Sequence, residues 1–396
     1  MITAGWSIIY IATSVQMLCY ARILHGIGIG IARTINPMYV SEVADINIRG
    51  MLGTLITVAA CTGTLIAYGL EYWMKYDSLL VVFIILSSIS FLLNMCFPET
   101  PYFLVAKGRK KEACKSLTYY KGIIDPNKAR TEIRALRAQT IYELHPQSRY
   151  KLDLQSNVDS RASDDMDEIH MDGSKRSAFT KVQVIIYRSN KKALFIMFGL
   201  IMAQQCGKNF ITMQYPERLY RKIDIVGDSY TATLLVQVVS ILSSIFTMFK
   251  VDSVGRRTLL ILSTLGTSVT LCTFAYYLLL AEHKLQGHMF DVLLPIVIIV
   301  YQVTFQIGLG TIPTVFLCEL FPMELRGYVG ATTLIFDSAI ELTVSILYQF
   351  LTDIIGAVYF IFATVCILAF LMVFIAIPET KGKTYNEIES LLVGKN

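Results

Sequence analysis

Apolar runs of about twenty residues recur ten times along this chain, near 2–20, 21–40, 51–71, 79–97, 193–213, 231–250, 259–281, 292–316, 327–350 and 356–377. A helix rises about 1.5 Å per residue, so each run matches the roughly 30 Å apolar core of a bilayer. Lipid offers peptide groups no hydrogen bonds, and unbroken runs of this length satisfy them only as helices. Charged residues make up 16% of the 396, too few to coat a soluble fold of that size. The expected fold class is therefore an all-α membrane protein. The first run lacks a basic leader and a small-residue cleavage site followed by a soluble domain. It reads as a span, not a signal peptide.

The runs form two blocks related by a repeat. Glu42, six residues, then Arg49-Gly50 recurs as Glu319, six residues, then Arg326-Gly327, and both the glutamates and the arginines are 277 residues apart. Pro98-Glu99-Thr100 recurs as Pro378-Glu379-Thr380 after 280 residues. Such internal repeats mark many secondary transporters. The expected organisation is a first membrane block over 1–97, a polar insert over 98–192, a second block over 193–377 and a tail over 378–396. The first block has four spans and the second six. Gly255-Arg256-Arg257 follows the second span of the second block, and the offset places its counterpart before residue 1. The expectation is a twelve-span architecture of which ten are present, the first two missing at the N-terminus.

The net charge of +5 matters through its placement. The insert and the turns near Arg49, Arg256-Arg257, Arg326 and Lys381 are basic. Positive residues stay on the cytoplasmic side, which puts both termini there as well. Within the insert, 107–117 and 126–144 read as helical, and the Ser/Asp-rich 156–177 as a solvated linker. Eight cysteines lie in or near the spans without a CxxC pair, and read as small core residues. No nucleophile–base pair and no metal-ligand cluster appears in the polar segments. The expectation is no enzyme, no cofactor, no metal and no nucleic-acid partner.

Polar groups inside the spans single out a site. The fifth run holds Gln204, Gln205, Lys208 and Asn209, which lipid would penalise unless they face a cavity or another helix. Amides donate and accept, which suits sugar hydroxyls, and they equally serve as glue between helices. The eighth run carries Gln306, Gly308, Gly310, Thr311, Pro313 and Thr314, a hinge candidate matched by Gly26, Gly28, Gly30 and Pro37 in the second. The glycine spacing in the second run does not fit a dinucleotide loop. Asp337 and Glu341 lie four apart on one face of the ninth span. They are candidates to bind a hydroxyl, to carry a proton, or to pair with Arg33 or Lys208; a neutral, hydrogen-bonded carboxyl is the plainer alternative. At the cytoplasmic helix ends, Glu42, Arg49, Asp252, Arg256, Arg257, Glu319 and Arg326 are positioned for salt bridges that hold that side closed. Glu99 and Glu379 of the second repeated phrase join them.

Arg22 with PMYVSEV and Arg49-Gly50, PETPYFLVAKGR, the Gln204–Asn209 segment, DSVGRRTL, CELFPMELRG and PETKGKTYNEIE together resemble the sugar porters of the major facilitator superfamily. The likeness is strongest to the facilitative glucose and insect trehalose transporter types and runs over nearly the whole chain. It implies the major facilitator fold, a cytoplasmic helical bundle for the insert, residence in the plasma membrane, and alternating-access movement of a neutral hexose or disaccharide. The resemblance also implies sugar contacts. Gln204 and Asn209 fall on a sugar-binding glutamine and asparagine, and Gln205 stands where leucine is usual. Thr57 takes the place of a glutamine, Ala203 of another, Ser240 of an asparagine, Gln306 of a glutamate, Thr314 of a tryptophan and Asp337 of an asparagine. Tyr102 replaces an arginine. Facilitative transport is the leading expectation. The alternatives are proton-coupled symport using Asp337, and a truncated chain that does not transport.

Overall fold

The computed structural model describes residues 1–45, 48–122, 131, 133, 188–207, 229–282, 288–321, 323–350, 355–383 and 385–393. Among them every regular element is a helix. The first block comprises α1 (Ile2–Ile11), α2 (Val15–Val43), α3 (Arg49–Trp73) and α4 (Tyr76–Cys96), followed by short α5 (Pro101–Ala106) and α6 (Lys110–Lys121). The second comprises α7 (Arg188–Gly207), α8 (Ser229–Val254), α9 (Arg256–Glu282), α10 (His288–Ile307), α11 (Ile312–Glu319), α12 (Met323–Phe350) and α13 (Ile355–Ala376), with α14 (Tyr385–Val393) in the tail. Eight stretches of described helix are long and apolar enough to cross a membrane, one of them running through α10 and α11. Each of the ten expected runs contains described helix, the first with only ten residues in α1 and the fifth as far as Gly207.

Two boundaries differ from the sequence expectation, and the split of the eighth run falls where it was expected. The first break falls at 12–14 and not near 20, because Ser14 adopts an extended conformation and its hydroxyl accepts the Met17 amide at 3.4 Å. An unbroken apolar composition hides such a cap, and α1 keeps only ten residues while α2 reaches 29. The eighth run splits at the expected hinge. Gly308 to Thr311 form a turn in which the Gly310 amide bonds Phe305 O at 2.9 Å and the Leu309 amide bonds Ser263 Oγ at 2.9 Å. Pro313 then starts α11, where its missing N–H costs nothing. In the insert, Thr100 caps α5 through the Phe103 amide and the helix expected at 107–117 is found at Lys110–Lys121 (α6), after a turn at 107–109, while 126–144, apart from residues 131 and 133, and 156–177 lie outside the described residues.

The two blocks meet along α3–α8 and α2–α12, and α11 packs against both α2 and α3. Within the second block α9 lies between α10 and α13, and α7 rests on α12 and α13. Fully buried Leu200, Leu260, Leu309, Ile312, Phe316 and Phe321 fill the space between these helices. The opposite faces expose Phe91, Leu92, Trp73 and Ile375, as lipid-facing surfaces do.

Close approach depends on small residues, since lipid tails leave packing as the main attraction between helices. A Cβ on Gly308, in the turn that follows α10, would collide with Ser263 and come within 2.8 Å of Leu259 O on α9. A Cβ on Gly266 of α9 would reach Thr304 at 2.7 Å. Gly63 has nothing within 4 Å. Gly308→Ala is expected to cost about 1–3 kcal/mol by overpacking and to lower the unfolding temperature in detergent, with Gly63→Ala unchanged. Equal melting of the two variants would refute the packing role of Gly308.

Candidate functional site

At the end of the bundle where α2 stops and α3 and α9 start, the repeated phrases build matching structures. Glu42 accepts a hydrogen bond from Thr100 Oγ1 at 2.5 Å, and Glu319 accepts one from Thr380 Oγ1 at 2.6 Å. Each block thus ties the end of one span to the segment after its last. Arg256 is the hub. Its guanidinium lies 2.8 Å from Asp252 and 3.0 Å from Glu319, and its side chain is almost fully buried. Glu379 receives the Arg256 amide at 3.0 Å and the Arg257 amide at 3.2 Å, a carboxylate at the positive end of α9. The left-handed Gly255 (φ 101°) makes that turn, and a Cβ there would lie 2.6 Å from Glu379.

The bonds that cross between blocks at this end are hydrogen bonds. Asp252 on α8 accepts the Met51 amide at the start of α3 at 2.8 Å. Arg326 donates to Ser41 Oγ at 3.3 Å, and Cys318 to Pro37 O at 3.4 Å. Gly50 makes the first approach possible, since a Cβ would strike Asp252 and come within 2.6 Å of Arg256. Its repeat counterpart Gly327 would meet only Met38, at 3.7 Å. Arg257 donates to Phe374 O at 2.7 Å and forms no ion pair among the described residues. Neither does Arg49, whose Nε is buried without a partner. Glu99 contributes its backbone carbonyl, to Ser116 at 2.6 Å.

Further along the helices a second cluster joins the blocks. Arg33 on α2 lies 3.3 Å from Asp337 on α12. Asp337 also accepts a hydrogen bond from Gln205 Nε2 on α7. Arg33 is ten residues before the end of α2, which places the pair roughly 15 Å from the charged end, near mid-membrane. Asp337 and Gln205 are buried, and Gln205 Oε1 has no hydrogen-bond partner. Gln204, beside it, is half-buried and its amide bonds no described residue. Asn209 and Lys208 lie outside the described residues.

The remaining expected contacts fall on α3, α8, α10 and α11. Ser240 is buried, donates to Val236 O at 2.8 Å and accepts from Gln302 Nε2 at 2.5 Å. Gln306 donates to Ser244 Oγ at 2.8 Å and reaches Cys61 Sγ at 3.5 Å. Gln302 and Gln306, four apart, therefore face Ser240 and Ser244, also four apart, as two rungs of a ladder between α10 and α8. Gln302, Ser244 and Cys61 escaped the sequence reading; the paired four-residue spacing was the available signal. Thr314 spends its hydroxyl on Thr311 O at 2.6 Å. Thr57, half-buried on α3, bonds no described residue.

Residues 1–392 match the family described as sugar (and other) transporter. The chain belongs to the sugar transporter family. It is 28% identical over 394 residues to the facilitated trehalose transporter Tret1 of Apis mellifera ligustica, covering 99% of this chain and 72% of that protein. The Bombyx mori Tret1 is 27% identical, covering 98% and 71%. Among solved structures, the proton:xylose symporter XylE bound to 6-bromo-6-deoxy-D-glucose superposes with a TM-score of 0.73 at 21% identity, over 97% of this chain and 75% of that one. The inward-open XylE from E. coli gives 0.63 at 22% identity, over 96% and 74%. The fold is that of the major facilitator superfamily. The protein is an integral membrane sugar transporter and not an enzyme.

In this sugar transporter the Asp252–Met51 bond, at 2.8 Å, is the shorter of two charge-assisted contacts between blocks at the charged end, the other being Arg326–Ser41 at 3.3 Å. Asp252→Ala should expose buried Cys318, read as maleimide labelling in a variant whose other cysteines are serine. Loss of a charge-assisted bond worth roughly 1.5–3 kcal/mol predicts labelling about tenfold faster or more. An unchanged rate would show that this bond does not hold the end shut.

Proposed function

We propose that the chain carries a neutral hexose or disaccharide by facilitated, alternating-access transport, with its charged end facing the cytoplasm of a cell bounded by the membrane it occupies, the plasma membrane. The observation that carries the reading is the cluster at Gln205. A buried carbonyl oxygen without a hydrogen bond costs about 1–3 kcal/mol, and a sugar hydroxyl that donates to it removes that cost. Gln204 on α7 and Thr57 on α3 offer further polar groups with no described partner. Asn209, two residues beyond the last described residue of α7, is proposed as a further contact. Ser240, Gln306 and Thr314 spend their donor groups inside the protein in this state, so they are proposed as groups exchanged for sugar when α8, α10 and α11 shift.

Arg33 and Asp337 span the same boundary from α2 to α12. Their opposite charges meet at 3.3 Å, which gives Asp337 a structural role as an ion-pair partner of the first block. That supports uniport. The charged end, with Asp252, Arg326 and Cys318 reaching across the blocks, supplies contacts that exist only when this side is closed, as alternation requires. A carboxylate bridging the two blocks is also what a proton-coupled carrier would titrate, so Asp337 keeps the symport reading testable.

Reconstituted vesicles decide between them. Uptake of glucose or trehalose should saturate and stay unchanged when a pH gradient is imposed or collapsed. Gln205→Leu should lower uptake roughly tenfold, the worth of one hydrogen bond to a buried group. Sugar-driven alkalinisation that disappears in Asp337→Asn would establish symport instead. Full uptake by Gln205→Leu would remove Gln205 from the site, and no uptake of any sugar would reject transport by this chain alone.

A further inference from the structure

A cavity at the charged end is lined by Arg49, Arg256, Arg326 and Lys383, with Glu319 and Thr380 beside them. Four cations thus face one carboxylate, and that carboxylate is committed: one oxygen of Glu319 lies on Arg256 and the other accepts from Thr380. Arg256 and Arg326 are 2% and 4% exposed, so water does little to screen them. The Nε atoms of Arg49 and Arg256 are both buried without a hydrogen-bond partner. Arg49 has no ion pair with any described residue, and its charged neighbours are Arg326, Glu319 and Arg256. Lys383 likewise pairs with no described carboxylate; its backbone amide is held by Thr380 O at 3.2 Å in a turn made by left-handed Gly382. Asp252 and Glu379 approach Arg256 and Glu42 approaches Arg326 from outside this lining, which leaves Arg49 and Lys383 as the cations of the cavity with no ion pair among the described residues.

We propose that this cavity binds a phosphate-bearing anion, which bridges Arg49 of the first block and Arg326 of the second and holds the charged end shut. Guanidinium groups match phosphate oxygens in pairs, and a tetrahedral anion presents enough oxygens for two arginines and a lysine at once. Without it, like charges repel across the block boundary in a poorly screened space. An anion that fits only while α3 and α12 are together stabilises that state by its own binding energy. The phosphate comes either from a free anion or from a phospholipid headgroup at the membrane edge, where these helices end. The binding does not depend on which sugar is carried or on the coupling mode.

The test is thermal unfolding of the full chain in a non-ionic detergent. Inorganic phosphate is titrated against chloride at matched ionic strength, and in parallel phosphatidic acid is compared with phosphatidylcholine in mixed micelles. A saturable rise of the unfolding temperature with phosphate identifies a free anion as sufficient; a rise with phosphatidic acid alone assigns the headgroup. In either case Arg49→Gln and Lys383→Gln should each weaken the apparent affinity roughly tenfold, the loss of one charge-assisted hydrogen bond. Lys383 is half-buried in the tail, so its variant keeps the test open if Arg49→Gln does not fold. The proposal is overturned if neither anion stabilises the protein, or if the folded variants respond as the parent does.

Discussion

Every polar group in this molecule that leaves water must find its partner inside the bundle, and that constraint shapes the rest. It makes the spans helical, because a helix satisfies its own peptide groups. It then sets where side chains go. The Gln302–Ser240 and Gln306–Ser244 rungs seal α8 to α10, with each serine hydroxyl also returning a bond to its own helix. At the charged end Arg256 is accepted into the interior only because Asp252 and Glu319 meet it there. Gln205 Oε1, Arg49 Nε, Arg256 Nε and Arg257 Nε depart from the rule. The first three lie at the sites assigned above to sugar and to an anion.

The duplication is visible as geometry, and so are its failures. The Glu42–Thr100 and Glu319–Thr380 bonds are near-equal in length, so each half closes its own end in the same way. The symmetry stops at the glycines. Gly50 is crowded by Asp252 and Arg256, while Gly327 meets only a methionine methyl. It stops again at the acidic residues, where Glu379 caps α9 and Glu99 offers only its backbone. Both asymmetries trace to the segment around Gly255-Arg256-Arg257, which crowds Gly50 and donates its amides to Glu379.

Much of the fold was legible because membrane helices announce themselves by length and composition. All ten runs, the hinge at Gly308–Thr311 and the repeat follow from local chemistry. The α1–α2 break was not legible, since one serine cap decides it within a continuous apolar stretch. The site was legible in part. Polar residues in spans mark themselves as costly, so Gln205 and Asp337 stood out, and Arg33 was among the named partners. Which amide bonds which group depends on helix rotation, and so Gln302, Ser244 and Cys61 went unnoticed. The expected salt bridges at the charged end were read from charge alone. The structure assigns ion pairs to Arg256, and gives Arg326, Arg257 and Glu42 hydroxyl or backbone partners.

By itself the amino-acid sequence determined that this chain lies in a membrane as two related blocks of helices, because hydrophobic length and a repeated phrase are properties of order along the chain. Only the tertiary structure decided that Asp337 faces both Arg33 and Gln205, that Asp252 holds the start of α3, and that Arg49 is left beside two other arginines without an ion pair of its own among the described residues. Those outcomes depend on the rotation and depth of each helix against its neighbours. Small-residue contacts such as Gly50 and Gly308 set them, and no pattern within a single span encodes them.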